Sequence, residues 1–151
     1  MPVVSQSREL QSRDLQSRDQ LLRRTLYGNA VFSVLSGAAL ALFAAALARA
    51  SVAAPDSLLG LELRTAITLL GLGVIGFGAV CWFIASRPQM PVTLARIVLW
   101  ADIGWVAGSA LLLALAAPDL TGWGFALVIG LAVVVADLAL FEWLGLRRMA
   151  A

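Results

Sequence analysis

Four apolar stretches separated by short polar breaks organise the chain: Tyr27–Ala48, Thr65–Ala85, Ile97–Ala117 and Gly122–Leu146. Each has the roughly 20 residues an α-helix needs to cross about 30 Å of hydrocarbon. The breaks "RASVAAPDS", "SRPQMPVT" and "APDLTG" collect Pro, Asp and Arg, residues that interrupt helices or favour water. No strand-like alternation competes with these runs, and a membrane barrel needs more and shorter segments. The pattern predicts an all-α protein, an integral membrane four-helix bundle over residues 25–148. A polar N-terminal cytoplasmic helical extension, residues 1–24, precedes it.

That extension carries a five-residue repeat, "QSRELQSRDLQSRDQ", from Gln6 to Gln20. Five residues advance about 140° around a helix, so Leu10 and Leu15 form no stripe and no coiled coil is expected. Glu9–Arg13, Asp14–Arg18 and Asp19–Arg23 each set an acid four residues ahead of an Arg. This spacing supports a helix by about 0.2–0.5 kcal/mol per pair. The repeat reads as a solvated helix running into the first span, with Arg23 and Arg24 near anionic headgroups. The small residues of "LARASVAAP" raise the question of a cleaved signal peptide. The first apolar run exceeds the usual ~7–15 residues of such a signal and follows a long polar stretch, so it reads as a retained helix.

Charge sets the expected orientation. Arg18, Arg23 and Arg24 precede span one, Arg87 and Arg96 lie in the second loop, and Arg147 and Arg148 follow span four. The first loop holds Arg49 and Arg64 against Asp56 and Glu62, and the third holds no Arg. The Arg bias predicts a bacterial-type inner (plasma) membrane protein with both termini cytoplasmic. "LLGLELR" in the first loop is expected along the outer interface.

Composition then narrows the chemistry. Hydrophobic residues make up 61% of the chain, against ~45–50% in soluble proteins. The chain contains no His and no Lys, and Cys81 is its one Cys. Ser-His-Asp and Cys-His catalysis, and His ligation of haem, chlorophyll or zinc, are excluded. So are a Lys Schiff base and a catalytic dithiol. No cofactor and no metal is expected. The net charge of +2 comes from Arg at helix ends, so no nucleic-acid partner is expected either.

The polar residues inside the spans are the candidate chemistry. Asp102 in span three and Asp137 in span four each cost about 2.5–3.5 kcal/mol at a helix centre when charged. By helical rise both fall in the half nearer the Arg-rich end, so an Asp102/Asp137 acid–base pair sharing a proton is expected. Asn29, Ser33, Ser36 and Gly37 share a face of span one. Arg96 and Glu142 lie nearer the edge, placed to pair with each other or with the aspartates, and Trp105 and Phe141 follow the aspartates on their own faces. Trp100, Trp123 and Trp143 suit interfacial belts. Ala101, Gly104 and Gly108 form a small-residue face opposite Asp102, expected to receive another helix or protomer. Gly71, Gly73, Gly76 and Gly78 are expected to serve tight packing of span two, a hinge, or a groove for a flat ligand.

Three readings follow. The first is a non-catalytic subunit or scaffold packed through small-residue faces. The second is a cofactor-independent intramembrane isomerase or cyclase, acting on a lipophilic, isoprenoid-like substrate through Asp102 and Asp137. Asn29, Ser33, Arg96, Trp105, Phe141 and Glu142 would then line its binding site. The third is a proton-coupled transporter or channel. The expected partners are the lipid bilayer, a lipophilic small molecule, and a homo-oligomer or larger membrane complex. The chain lacks the dithiols of disulfide and quinone reductases and the early span-one Glu of small multidrug exporters.

Overall fold

The computed structural model describes the backbone of residues 3–53 and 62–150, and the side chains of residues 19–53 and 62–149. Five helices follow one another: α1 (Val3–Leu42), α2 (Ala44–Ser51), α3 (Leu63–Ser86), α4 (Val92–Ala116) and α5 (Gly122–Ala150). No strand occurs among the described residues, only an isolated antiparallel bridge between Val52 and Leu120. Four segments are long and apolar enough to cross a membrane: Asp19–Leu42, Leu63–Ser86, Val92–Ala116 and Gly122–Met149. The protein is an all-α four-helix bundle with the make-up of a multi-pass membrane protein.

Helix ends and apolar ends differ for a physical reason. Hydropathy marks where lipid begins, whereas a helix continues until its hydrogen-bond ladder is broken. α4 therefore starts at Val92, directly after Pro91, one turn before the apolar run. α1 continues from the polar extension into the first span without a break. After an irregular residue at Phe43 the ladder resumes as α2, with the Leu47 amide donating to the Phe43 carbonyl. Of the three acid–Arg pairs in the repeat, Asp19–Arg23 lies within the described side chains and closes at 2.8 Å. "LLGLELR" falls mostly outside the described residues; its last three, Glu62, Leu63 and Arg64, open α3.

The surface is apolar, as a lipid-facing surface must be. Leu42 is 80% exposed and Leu115 73%. Inside, Leu22, Leu26, Ala30, Cys81, Ile84, Ala95 and Val98 make one buried cluster joining α1, α3 and α4. Trp100, Trp123 and Trp143 are exposed, and the Arg147 guanidinium stacks 4.7 Å over the Trp143 ring.

α1 is the centre of the bundle. It packs against α3 and α5, and α4 packs on α5. α3 and α4, adjacent in sequence, touch only marginally, and no described Cα of α1 comes within 8 Å of a Cα of α4. The α1–α3 contact is the tight one. A Cβ placed on Gly71 would meet the Gly37 carbonyl oxygen at 2.6 Å and the Ala41 nitrogen at 2.7 Å, and one on Gly78 would meet the Ala30 oxygen at 2.9 Å. Without side chains at these positions the two backbones close directly on each other. Gly73 and Gly76 meet nothing within 4 Å.

The two ends of the bundle are clamped differently. At the Arg-rich end, Arg23 of α1 donates to the Ala85 carbonyl and, at 2.7 Å, to the Arg87 carbonyl. These lie at the C-terminus of α3, where carbonyls lack helical partners and attract a cation. Arg23, expected beside headgroups, is thus spent on the protein itself. At the other end the Thr121 hydroxyl donates to the Ala50 carbonyl and accepts from the Gly124 amide at 3.1 Å. Thr121 thereby caps α5 and ties it to the end of α2.

The glycine contacts give a matched pair of outcomes. Gly71→Ala forces backbone apart and is expected to cost about 1–3 kcal/mol, as overpacking does. Gly73→Ala has open space and should hold or gain stability, since Ala favours helix by up to about 1 kcal/mol. Thermal unfolding of the two variants in the same detergent checks this. Equal midpoints would contradict direct backbone contact at Gly71.

Candidate functional site

Three helices contribute one polar side chain each to a buried cluster: Asn29 from α1, Asp102 from α4 and Glu142 from α5. Asn29 is 1% exposed, Asp102 3% and Glu142 0%. The Asn29 Nδ2 donates to Asp102 Oδ2 at 2.6 Å and to Glu142 Oε1 at 2.9 Å. Its own oxygen, Oδ1, accepts from the Ser33 hydroxyl at 3.0 Å, one helical turn on. An amide has two N–H donors, and both are used. The cluster lies level across the helices. Asn29 is six residues from Arg23, Asp102 six from Arg96 and Glu142 five from Arg147, so each sits about 7–9 Å inside the Arg-rich end at 1.5 Å per residue.

The expected pairing of Asp102 with Asp137 is not formed. Asp137 lies exposed on the outer surface of α5. It precedes Glu142 by five residues, about 140° around the helix, so both cannot face the same neighbour. The inward stripe of α5 is Val135, Ala139, Glu142 and Gly145, all buried. Common depth along the axis was the basis for pairing the aspartates, and depth says nothing of rotation about it. The small residues Ala139 and Gly145, three on either side of Glu142, were the available signal. Small side chains mark the face where another helix comes close, and a Cβ on Gly145 would meet Leu22 of α1 at 2.8 Å.

The other candidates separate. Arg96 is exposed and makes no pair with Glu142; the one ion pair among the described side chains is Asp19–Arg23. Phe141 faces outward, 48% exposed. Ser33 is buried in the cluster, and Trp105 is half-buried with its indole N–H enclosed and without an acceptor. Ala101, Gly104 and Gly108 do not lie against another helix of the chain. All three are exposed, and a Cβ on either Gly meets nothing within 4 Å.

What those small residues border is space. A cavity of about 360 Å³ lies where α3 and α4 fail to meet, lined by Phe32, Ser33, Ser36, Gly73, Phe77, Asp102 and Trp105 among others. A second, about 570 Å³, adjoins it toward the Thr121 end and shares Trp105 and Leu131 with it. Gly104, Gly108 and Ser109 line the second, so the small-residue face and the Trp105/Ser109 face of α4 look into one space. Leu69 and Gly73 line the first cavity and are exposed, so it reaches the surface of the bundle. Asp102 is its acidic lining residue.

Electrostatically the cluster is incomplete. Two carboxyl oxygens accept from one nitrogen, which sets them at most about 5.5 Å apart. Two full charges at that distance repel by about 3 kcal/mol at an effective dielectric near 20. Every Arg whose side chain is described is exposed, except Arg23, which is engaged elsewhere. Glu142 Oε2 is buried with no partner. A buried unpaired charge is costly, so compensation comes from protons or from a group entering through the cavity. No group of three or more His, Cys, Asp or Glu capable of holding a metal occurs among the described residues.

No family model, curated protein or solved structure matches the chain. The functional reading accordingly rests on this geometry.

Asn29→Leu removes the amide that both carboxyls share. Unfolding free energy should fall by about 1–3 kcal/mol, the cost of stranding buried polar groups. Asp137→Asn, on the outer face, should not lower it. Reversible unfolding in mixed micelles measures both, and a larger loss in the Asp137 variant would contradict the arrangement.

Proposed function

We propose that this integral membrane protein binds a lipophilic molecule between α3 and α4, with the polar end of that molecule at Asp102. One observation carries the reading. An otherwise largely apolar cavity, within the ~300–1,000 Å³ typical of small-molecule sites, has a buried carboxyl in its wall. Aromatic and apolar lining with a few convergent polar groups is the usual composition of such sites. The glycines of α4 support it, since they line the adjoining cavity instead of holding a neighbouring helix. The distribution of Arg supports an orientation with both termini in the cytoplasm.

A second reading, acid–base chemistry on the bound molecule, is favoured by the Asn29 bridge. Asp102 faces the cavity while Glu142 stays behind it, and the amide between them holds both carboxyls in place. Two carboxyls in unlike surroundings are suited to acid and base roles. Glu142 takes the position that Asp137 was expected to fill.

The direct check is the organic extract of the purified protein. Mass spectrometry of the wild type should show a lipophilic molecule enriched over bulk lipid. Gly104→Leu fills the adjoining cavity at a position open to a side chain, so its extract should lose most of that signal at unchanged thermal stability. Identical extracts from the two proteins would contradict the reading.

A further inference from the structure

The polar end of the cavity is defined by what it lacks. Two acids, Asp102 and Glu142, meet a single amide, and no described Arg reaches them. Of the two, Asp102 lines the cavity and Glu142 does not. From this we infer that the bound molecule is a lipophilic amine, with its ammonium group against Asp102 and its apolar chain between α3 and α4. The proposal rests on the cavity reading above and adds the charge of the polar end.

Charge complementarity selects this class. A fatty acid would bring a third carboxyl to a site that already has two. A neutral alcohol would hydrogen-bond Asp102 but leave the negative charge uncompensated in a low dielectric, where such a charge is most costly. An ammonium supplies N–H donors together with the missing charge, and such charge-assisted hydrogen bonds are about twice as strong as neutral ones. A bare metal ion suits the site poorly, because the cavity wall offers few oxygen ligands. Phe32, Phe77 and Trp105 line that wall, and aromatic rings attract a cation and its alkyl chain alike. Glu142, which does not line the cavity, keeps a proton in this arrangement. One proton and one ammonium then balance two carboxyls.

The test uses the full chain in nanodiscs of zwitterionic lipid at pH 7, with radiolabelled dodecylamine as probe. Unlabelled dodecanol, dodecanoate and sodium chloride serve as competitors. Dodecylamine should bind saturably and displace the label at least about tenfold more effectively than dodecanol, the preference expected of a desolvated charge pair. Dodecanoate and sodium should displace little. Asp102→Asn should erase the preference for amine over alcohol. Gly73→Leu, which fills the cavity at a position open to a side chain, should weaken binding of both. That variant and the wild-type ranking carry the test if Asp102→Asn does not fold. Equal displacement by amine and alcohol in the wild type overturns the amine assignment and leaves the cavity reading standing. Displacement by sodium as effective as by dodecylamine also overturns it, in favour of a bare cation. Saturable binding of no probe, in wild type and variants alike, overturns the cavity reading itself.

Discussion

The Asn29 amide, shared between carboxyls on two other helices, is the interaction on which the arrangement depends. α1 and α4 have no close backbone contact, so α4, which packs on α5, reaches α1 through side chains alone. The Asn29–Asp102 hydrogen bond is the polar part of that link, and the Ala95 and Val98 contacts with the buried apolar cluster are the rest. The space between α3 and α4 lies beside this link, and Asp102, held by Asn29, stands at its border.

Glycines decide which pairs of helices do close. Gly37, Gly71 and Gly78 let α1 and α3 meet backbone to backbone, and Gly145 does the same for α5 against Leu22. Gly104 and Gly108 of α4, four residues apart, have no other helix of the chain within 4 Å of a Cβ. Glycines on helix faces thus yield contact in one place and open volume in another. The clamps at the two ends tie α1 to α3 through Arg23 and α5 to α2 through Thr121.

The fold was largely legible in the sequence because the spans are long, uninterrupted and bounded by Pro, Asp and Arg. Their helical ends were less so: α4 begins at Val92, ahead of its apolar run, because Pro91 and not Arg96 ends the loop. Of the site, Asn29, Ser33, Asp102 and Trp105 were readable as polar or aromatic groups out of place in hydrocarbon. Glu142 was visible as a residue but not as the partner of Asp102. A helix bathed in lipid is apolar on every side, so the usual contrast of wet and dry faces does not reveal which way it is turned. Asp137 was given the inward position on depth alone, and rotation placed it outside. Small-residue spacing carries the missing information, yet the glycines of α4 show that such spacing can also mark a cavity.

The central claim is that one amide nitrogen serves two carboxyls. Solid-state NMR in lipid bilayers measures it directly, through dipolar coupling between the labelled Asn29 side-chain nitrogen and the carboxyl carbons of Asp102 and Glu142. Both carbons should couple to that nitrogen at hydrogen-bonding range, with the carboxyl carbon of Asp137 silent. Coupling to Asp137, or to neither Asp102 nor Glu142, would contradict the account.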